Sequence, residues 1–179
     1  MADDRERFER LYRENFRAVL RFAAVRIDPE RAKDVAAETF LVAWRRLDDV
    51  PVEARPWLLG IARRVIAGQF RTQSRREALA SRLRSAHPDN TATDPAVALA
   101  DRDEALAAFT TLGERDREVL RLATWDELSA AEAADVLGVT KLAFTVRLHR
   151  ARRRLERALE PELRASAPRK TRRHVDAHS

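Results

Sequence analysis

Between Arg147 and Arg157 the chain carries Arg147, Arg150, Arg152, Arg153, Arg154 and Arg157, with Glu156 as the lone acid among them. That ratio is too one-sided for salt-bridge lacing along a solvated helix face. Guanidinium groups at helical spacing bind phosphate oxygens, and one that reaches the groove floor can fork onto guanine. Taking ~100° per residue from Phe144, the residues Leu148, Ala151 and Leu155 fall within roughly 40° of it and form a buried stripe. Leu142, Val146, His149, Arg150 and Arg153 fall on the far side, within roughly 60° of its centre. Lys141, Thr145 and Arg147, on the same helix, are further candidates for contact with DNA. Two apolar side chains early on a basic face suit thymine methyl groups in a major groove. A solvated charged face is the plainer alternative.

The residues ahead of this helix give it a partner. Ser129-Ala-Ala-Glu132 is a capping box that opens a short helix. Gly138 supplies the positive φ of a tight turn, and Ala134, four residues earlier, is small enough for close helix approach. Thr140 caps the long helix, and Phe144 packs it on the short one. This is the spacing of a helix-turn-helix; an ordinary helical hairpin is its structural counterpart.

Other chemistries lack their residues. The chain has 179 residues and no cysteine, so disulfides, zinc ribbons, iron–sulfur clusters and thiol nucleophiles are excluded. Its four glycines are too dispersed for a phosphate-binding loop. His87, His149, His174 and His178 have no metal-ligand spacing. Ser129 is accounted for by capping, and Asp101, Asp103 and Glu104 by the early turns of a helix, where the macrodipole favours acids. Catalysis, metal and cofactor are therefore not expected. The polar, acidic start is no signal peptide, and no apolar run approaches the ~18 residues of a spanning helix. A cytoplasmic protein without membrane insertion is expected. The formal charge of +6 and a pI near 10.7 fit a polyanionic partner.

Around these residues the chain reads as all-α: two small helical domains joined by a flexible linker, the second holding the helix-turn-helix. A first helix, about Arg5 to Arg26, repeats Phe8, Leu11, Tyr12, Phe16, Val19 and Phe22. Asp28-Pro29 caps a second helix with Val35, Thr39, Phe40, Ala43, Trp44 and Leu47 on its apolar side, leaving Asp34, Glu38 and Arg45 outside the stripe. Asp48–Arg55 reads as a loop. Pro56 restarts a helix with Trp57, Leu58, Ile61, Ala62, Val65 and Ile66 inward, followed by Arg63, Arg64, Arg71, Arg75 and Arg76. Trp44 and Trp57 lie on apolar stripes and are expected in the core. The first domain spans 1–80, the linker 81–94 and the second domain 95–162, where Asp94-Pro95 opens a helix presenting Leu99, Leu106 and Phe109. A basic tail, 163–179, is expected to be disordered.

Leu128–Thr140, Arg147–Leu155 and Glu114–Leu120 together resemble the fourth domain of extracytoplasmic-function sigma factors of bacterial RNA polymerase. Phe8–Phe22, Asp34–Leu47 and Trp57–Arg63 resemble that family's second domain. The likeness runs in order over roughly residues 8–160. It implies a promoter-specificity factor with core RNA polymerase and promoter DNA as partners, and an anti-sigma factor as a further candidate. By the same resemblance, the helix holding Asp34, Glu38 and Arg45 docks on polymerase. The loop with Asp48, Asp49, Val50 and Arg55 captures a flipped minus-ten base. Arg63, Arg64 and Arg71 follow the non-template strand, and the helix from Lys141 reads the minus-thirty-five duplex. The sequence departs from the family at Arg64 (commonly Asn), Phe70 (commonly polar or basic), Thr145 (commonly Lys) and Val146 (commonly Ser). These departures bear on individual base contacts. A one-component helix-turn-helix regulator is the alternative; it should dimerise on a palindrome, whereas a sigma factor binds core polymerase one-to-one.

Overall fold

The computed structural model describes the backbone of residues 2–83 and 103–166. The described residues form seven helices and no strand. These are α1 (Ala2–Ala24), α2 (Pro29–Arg45), α3 (Ala54–Leu83), α4 (Asp103–Thr111), α5 (Glu114–Thr124), α6 (Ala130–Leu137) and α7 (Lys141–Ser166). The first three make one domain and the last four the other.

Local chemistry sets the helix starts. The Asp28 carboxylate accepts the Arg31 backbone N–H at 2.9 Å, and Pro29 fills the first turn, where a missing donor costs nothing. Inside α2 the fully buried Thr39 donates its hydroxyl to the Val35 carbonyl at 2.7 Å, so a polar residue joins the apolar stripe without an orphaned group. Phe22, Val35, Leu58 and Leu59 fill the space between α1, α2 and α3. Truncating a buried phenylalanine such as Phe22 costs about 3–5 kcal/mol.

The two domains do not keep separate cores. One apolar cluster runs from Val19, Phe22 and Leu58 to Val119, Leu122, Ala133, Val136 and Phe144 in the second domain. A smaller cluster of Phe109, Leu112, Leu120 and Ala151 holds α4, α5 and α7 together. The continuous cluster follows from α3 and α6 lying side by side. A Cβ placed on Gly60 would stand 3.9 Å from the Val136 backbone.

Several sequence expectations shift. α1 ends at Ala24, and Arg26 sits in a turn whose N–H donates to the Ala23 carbonyl at 2.9 Å. The stretch read as a loop contains a 3-10 turn, Leu47–Asp49, and α3 begins at Ala54, so Arg55 is helical. α3 runs through Ser81 to Leu83, and α7 runs through Pro161 to Ser166. A proline removes one backbone donor, and the good helix formers on both sides of Pro161 outweigh that loss. Leu99, Asp94-Pro95, the remaining linker positions 84–94 and the tail positions 167–179 lie outside the described residues. Trp44 is not in the core: it is 44% exposed, touching Phe8 edge-on at 5.1 Å between ring centroids. The apolar face of α1 and α2 is wider than α3 covers. Trp57 is partly buried against the core, as its stripe implied.

Candidate nucleic-acid interface

The start of α7 is set by three local devices. In the capping box, Ser129 Oγ accepts the Glu132 N–H at 3.3 Å and Glu132 Oε2 accepts the Ser129 N–H at 2.8 Å. Hydrogen bonding to the Ser129 side chain, then to its backbone N–H, holds the Glu132 carboxyl below the usual glutamate range, and the Arg55 charge adds to this. Gly138 ends α6 at φ 66°, ψ 41°, the left-handed region that glycine enters without a Cβ clash. Thr140 Oγ1 then accepts the Ala143 N–H at 3.2 Å and starts α7.

Phe144 and Ala151 are buried, with Leu148 and Leu155 packed beside them, so the stripe expected from helical spacing is the one that faces inward. Lys141, Leu142, Thr145, Val146, Arg147, His149, Arg150 and Arg153 are all exposed. Leu142, Val146, His149, Arg150 and Arg153 share the side of α7 opposite Phe144, and Lys141, Thr145 and Arg147 are exposed on its flanks. Thr145 donates its hydroxyl to the Lys141 carbonyl at 2.9 Å, one turn back along the helix. Arg154 instead pairs with Asp116 and ties α7 to α5. Arg121 is buried, donates to Glu114 at 2.8 Å and lies over the Phe109 ring; its role is packing rather than recognition.

On α2, Asp34, Glu38 and Arg45 are exposed and lie along one side of the helix. Leu41, 49% exposed, falls between Glu38 and Arg45, and Trp44 is its neighbour on the helix surface. The spacing of Asp34, Glu38, Leu41 and Arg45 could have marked this mixed acidic and apolar strip; reading Trp44 as core obscured it. Asp34 and Glu38 also line a groove between α2 and α3 opposite Arg64 and Arg76.

The seven residues expected to meet the minus-ten element do not form one surface. Asp48, Asp49, Arg64 and Arg71 are exposed. Asp49 accepts from Arg46 at 2.9 Å, and Val50 packs against the core. Arg55 and Arg63 turn toward the second domain. Arg55 Nη2 donates to the Asp126 carbonyl at 2.6 Å, and Arg63 Nε lies 3.9 Å from a Glu118 carboxylate oxygen. Sequence reasoning also missed Arg26, whose side chain is 5% exposed. It donates from Nε to Glu118 at 3.0 Å and from Nη2 to Asp126 at 2.7 Å. Nothing local marks a contact between residues a hundred positions apart.

A helix-turn-helix with an exposed basic face, packed on a second all-helical domain, defines a two-domain DNA-binding protein. The family profile described as Sigma-70 region 2 matches residues 11–76, and that described as Sigma-70, region 4 matches residues 102–155. The chain is 31% identical over 155 residues to the ECF RNA polymerase sigma factor SigL of Mycobacterium tuberculosis, covering 84% of this chain and 87% of that protein. It is 30% identical over 169 residues to the ECF RNA polymerase sigma factor BldN of Streptomyces coelicolor, covering 91% of this chain and 64% of BldN. Among solved structures, the sigma factor RpoE in complex with the anti-sigma factor NepR from Bartonella quintana aligns with a TM-score of 0.63 at 25% identity, over 86% of this chain and 96% of that one. CnrH in complex with the cytosolic domain of CnrY aligns with a TM-score of 0.58 at 26% identity, over 87% and 88%. The chain belongs to the extracytoplasmic-function sigma factors. It acts as a promoter-specificity factor in transcription initiation, and the one-component regulator reading is not favoured.

Proposed function

We propose a division of labour among the exposed residues. α7 reads the minus-thirty-five duplex through Lys141, Leu142, Thr145, Val146, Arg147, His149, Arg150 and Arg153. α2 docks on core RNA polymerase through Asp34, Glu38 and Arg45, joined by Leu41 and Trp44. The segment 48–55 and the Arg63, Arg64 and Arg71 side of α3 take the unpaired minus-ten strand. The observation that carries this reading is the outward face of α7, where every expected reading residue is exposed and the inward stripe is apolar. Melting supports the rest. Duplex readers do not reach unstacked bases, so a separate domain must supply a pocket and a basic track.

Sigma factors are non-enzymatic initiation factors, and this chain is assigned no catalytic step. Its place of action is the cytoplasm, where the polymerase is; among the described residues no helix is long and apolar enough to cross a membrane. The complexes of RpoE with NepR and of CnrH with CnrY support an anti-sigma partner for this chain as well. Run-off transcription with core polymerase and a randomised promoter library tests the proposal. Promoter-specific transcripts that require the chain are expected. Transcription that depends on a palindrome, without stable association with core polymerase, would reject it.

A further inference from the structure

α3 holds a glycine that its own packing does not call for. Gly68 lies in the interior of a 30-residue helix, well away from both ends. Only proline is a poorer helix former, so a glycine at such a position needs a reason. It has no positive φ. A Cβ built on Gly68 would meet a single group within 4 Å, the flexible guanidinium of Arg71 at 3.9 Å, which is ordinary contact. Alanine would therefore fit the free protein and strengthen the helix. The open space beside Gly68 serves something that comes from outside.

The surroundings of the gap say what that is. Taking ~100° per residue, Arg75, Arg64 and Arg71 fall about 20°, 40° and 60° to one side of Gly68. All three are exposed, and none has a hydrogen bond or ion pair with another described residue. No acid occurs in the sequence between Glu53 and Glu77. Val65 and Thr72 fall to the other side of Gly68. There Thr72 donates its hydroxyl to the Gly68 carbonyl at 3.0 Å. Asp34 and Glu38 stand beyond, on the α2 wall of the groove. The gap is thus bounded by Thr72 toward the carboxylates and by free guanidinium groups toward solvent. Such a field selects an anion.

We propose that Gly68 is the seat of one backbone phosphate of promoter DNA, held by Arg64 and Arg71 from the turns on either side. This rests on the minus-ten role assigned above to α3. Gly68 supplies no charge and no donor to the ligand; it is a positioning residue. Without a side chain beneath it, the phosphate sits low enough on the helix for both guanidinium forks to reach its oxygens. Arg75, one turn beyond Arg71, adds to the positive field. Phosphate contacts carry no sequence information but fix register, so this seat sets which bases come to lie against residues 48–55. The phosphodiester belongs either to the unpaired non-template strand or to the duplex adjoining it, and the chemistry of the seat is the same for both.

The test uses the full chain, alone for stability and with core polymerase for binding. Gly68→Ala and Gly68→Leu should each raise the thermal midpoint by about 2–4 °C, because both are better helix formers than glycine. The same variants should weaken holoenzyme binding to a promoter the chain transcribes, by about tenfold for leucine, and lower the salt slope by about one unit. Neutral methylphosphonate linkages are then placed one at a time through the minus-ten element and its adjoining duplex. In the parent, one linkage should weaken binding most. In Gly68→Leu that linkage should cost nothing further, because its phosphate is already unseated. The strand and position of the linkage distinguish the unpaired strand from the duplex as the source. Variants that are more stable yet bind like the parent overturn the seat. So does a lowered thermal midpoint, which would make the glycine structural, and so does weaker binding with the same linkage still costly. Arg64→Ala and Arg71→Ala separate the two readings. If both leave promoter affinity at the parental value, α3 does not meet the promoter, and the minus-ten role falls with the seat. If both weaken it while the Gly68 variants do not, the seat alone falls.

Discussion

Leu142 and Val146 stand one helical turn apart on the open side of α7, 75% and 40% exposed, while Phe144 between them is fully buried. Leu142 therefore does not pack on the preceding helix. Its substitution by alanine should leave thermal stability within about 0.5 kcal/mol of the parent. Val146→Ser should shift preference at one or two base pairs of the minus-thirty-five element by about 1–3 kcal/mol, read by titrating holoenzyme against a set of variant duplexes. Unaltered base preference would mean that the apolar pair faces no base.

Arg153 lies two turns further along α7 and has no ion pair with another described residue. At that distance a groove-entering helix runs beside the backbone. Arg153→Ala should weaken binding to every sequence alike and reduce the dependence of log affinity on log salt by about one unit. Titrations at several salt concentrations check this. A sequence-dependent loss would exchange the roles of the two ends of the helix.

Asp34 and Glu38 are exposed on α2, and neither closes an ion pair with a described residue. Exposed charge pairs contribute about 0–1 kcal/mol each, so Asp34→Arg with Glu38→Arg should cost roughly 1–2 kcal/mol of core-polymerase affinity, a factor of about 5–30. Circular dichroism should be unchanged. Folded protein with parental affinity would place the dock elsewhere. Trp44→Ala, which removes an exposed ring, should compound the loss.

The capping box predicts an acid dependence. The folded Glu132 carboxyl is a stronger acid than the unfolded one, chiefly through Ser129. Its contribution is therefore complete above the unfolded value of about 4.3 and disappears as pH falls through the lower folded value. Ser129→Ala should cost about 1 kcal/mol at neutral pH. Glu132→Gln should be less stable than the parent at neutral pH and equal to it in strong acid. Denaturant midpoints across the two conditions measure both. A Glu132→Gln deficit that persists in acid would show that packing, not charge, is responsible.

The parts of the fold that were legible are those whose cause is local. Ser129, Glu132, Gly138 and Thr140 act within four residues of their partners, and Phe144 with Ala151 obeys helical periodicity. Trp44 shows where periodicity stops: it reveals that a stripe is apolar, not whether a third helix covers it. Arg55 shows the limit of reading loops from proline, since the helix starts two residues before Pro56. Arg26 and Asp126 were out of reach, because their meeting depends on how two domains pack and no nearby residue encodes it.

Glu127 is the described non-glycine residue with positive φ, at 53°, and it directly follows Asp126. For a residue with a Cβ that conformation costs about 1–2 kcal/mol and persists only where surrounding contacts over-determine it. Here those contacts are Arg26 on the Asp126 carboxylate, Arg55 on its carbonyl, and the Leu128 N–H donating to the Leu122 carbonyl at 3.1 Å. Two of the three come from the other domain. Loss of the Arg26 and Arg55 side chains would thus remove most of what keeps Glu127 left-handed. The Leu128 amide is a native reporter of that turn: its hydrogen-exchange rate should rise in Arg26→Gln with Arg55→Gln.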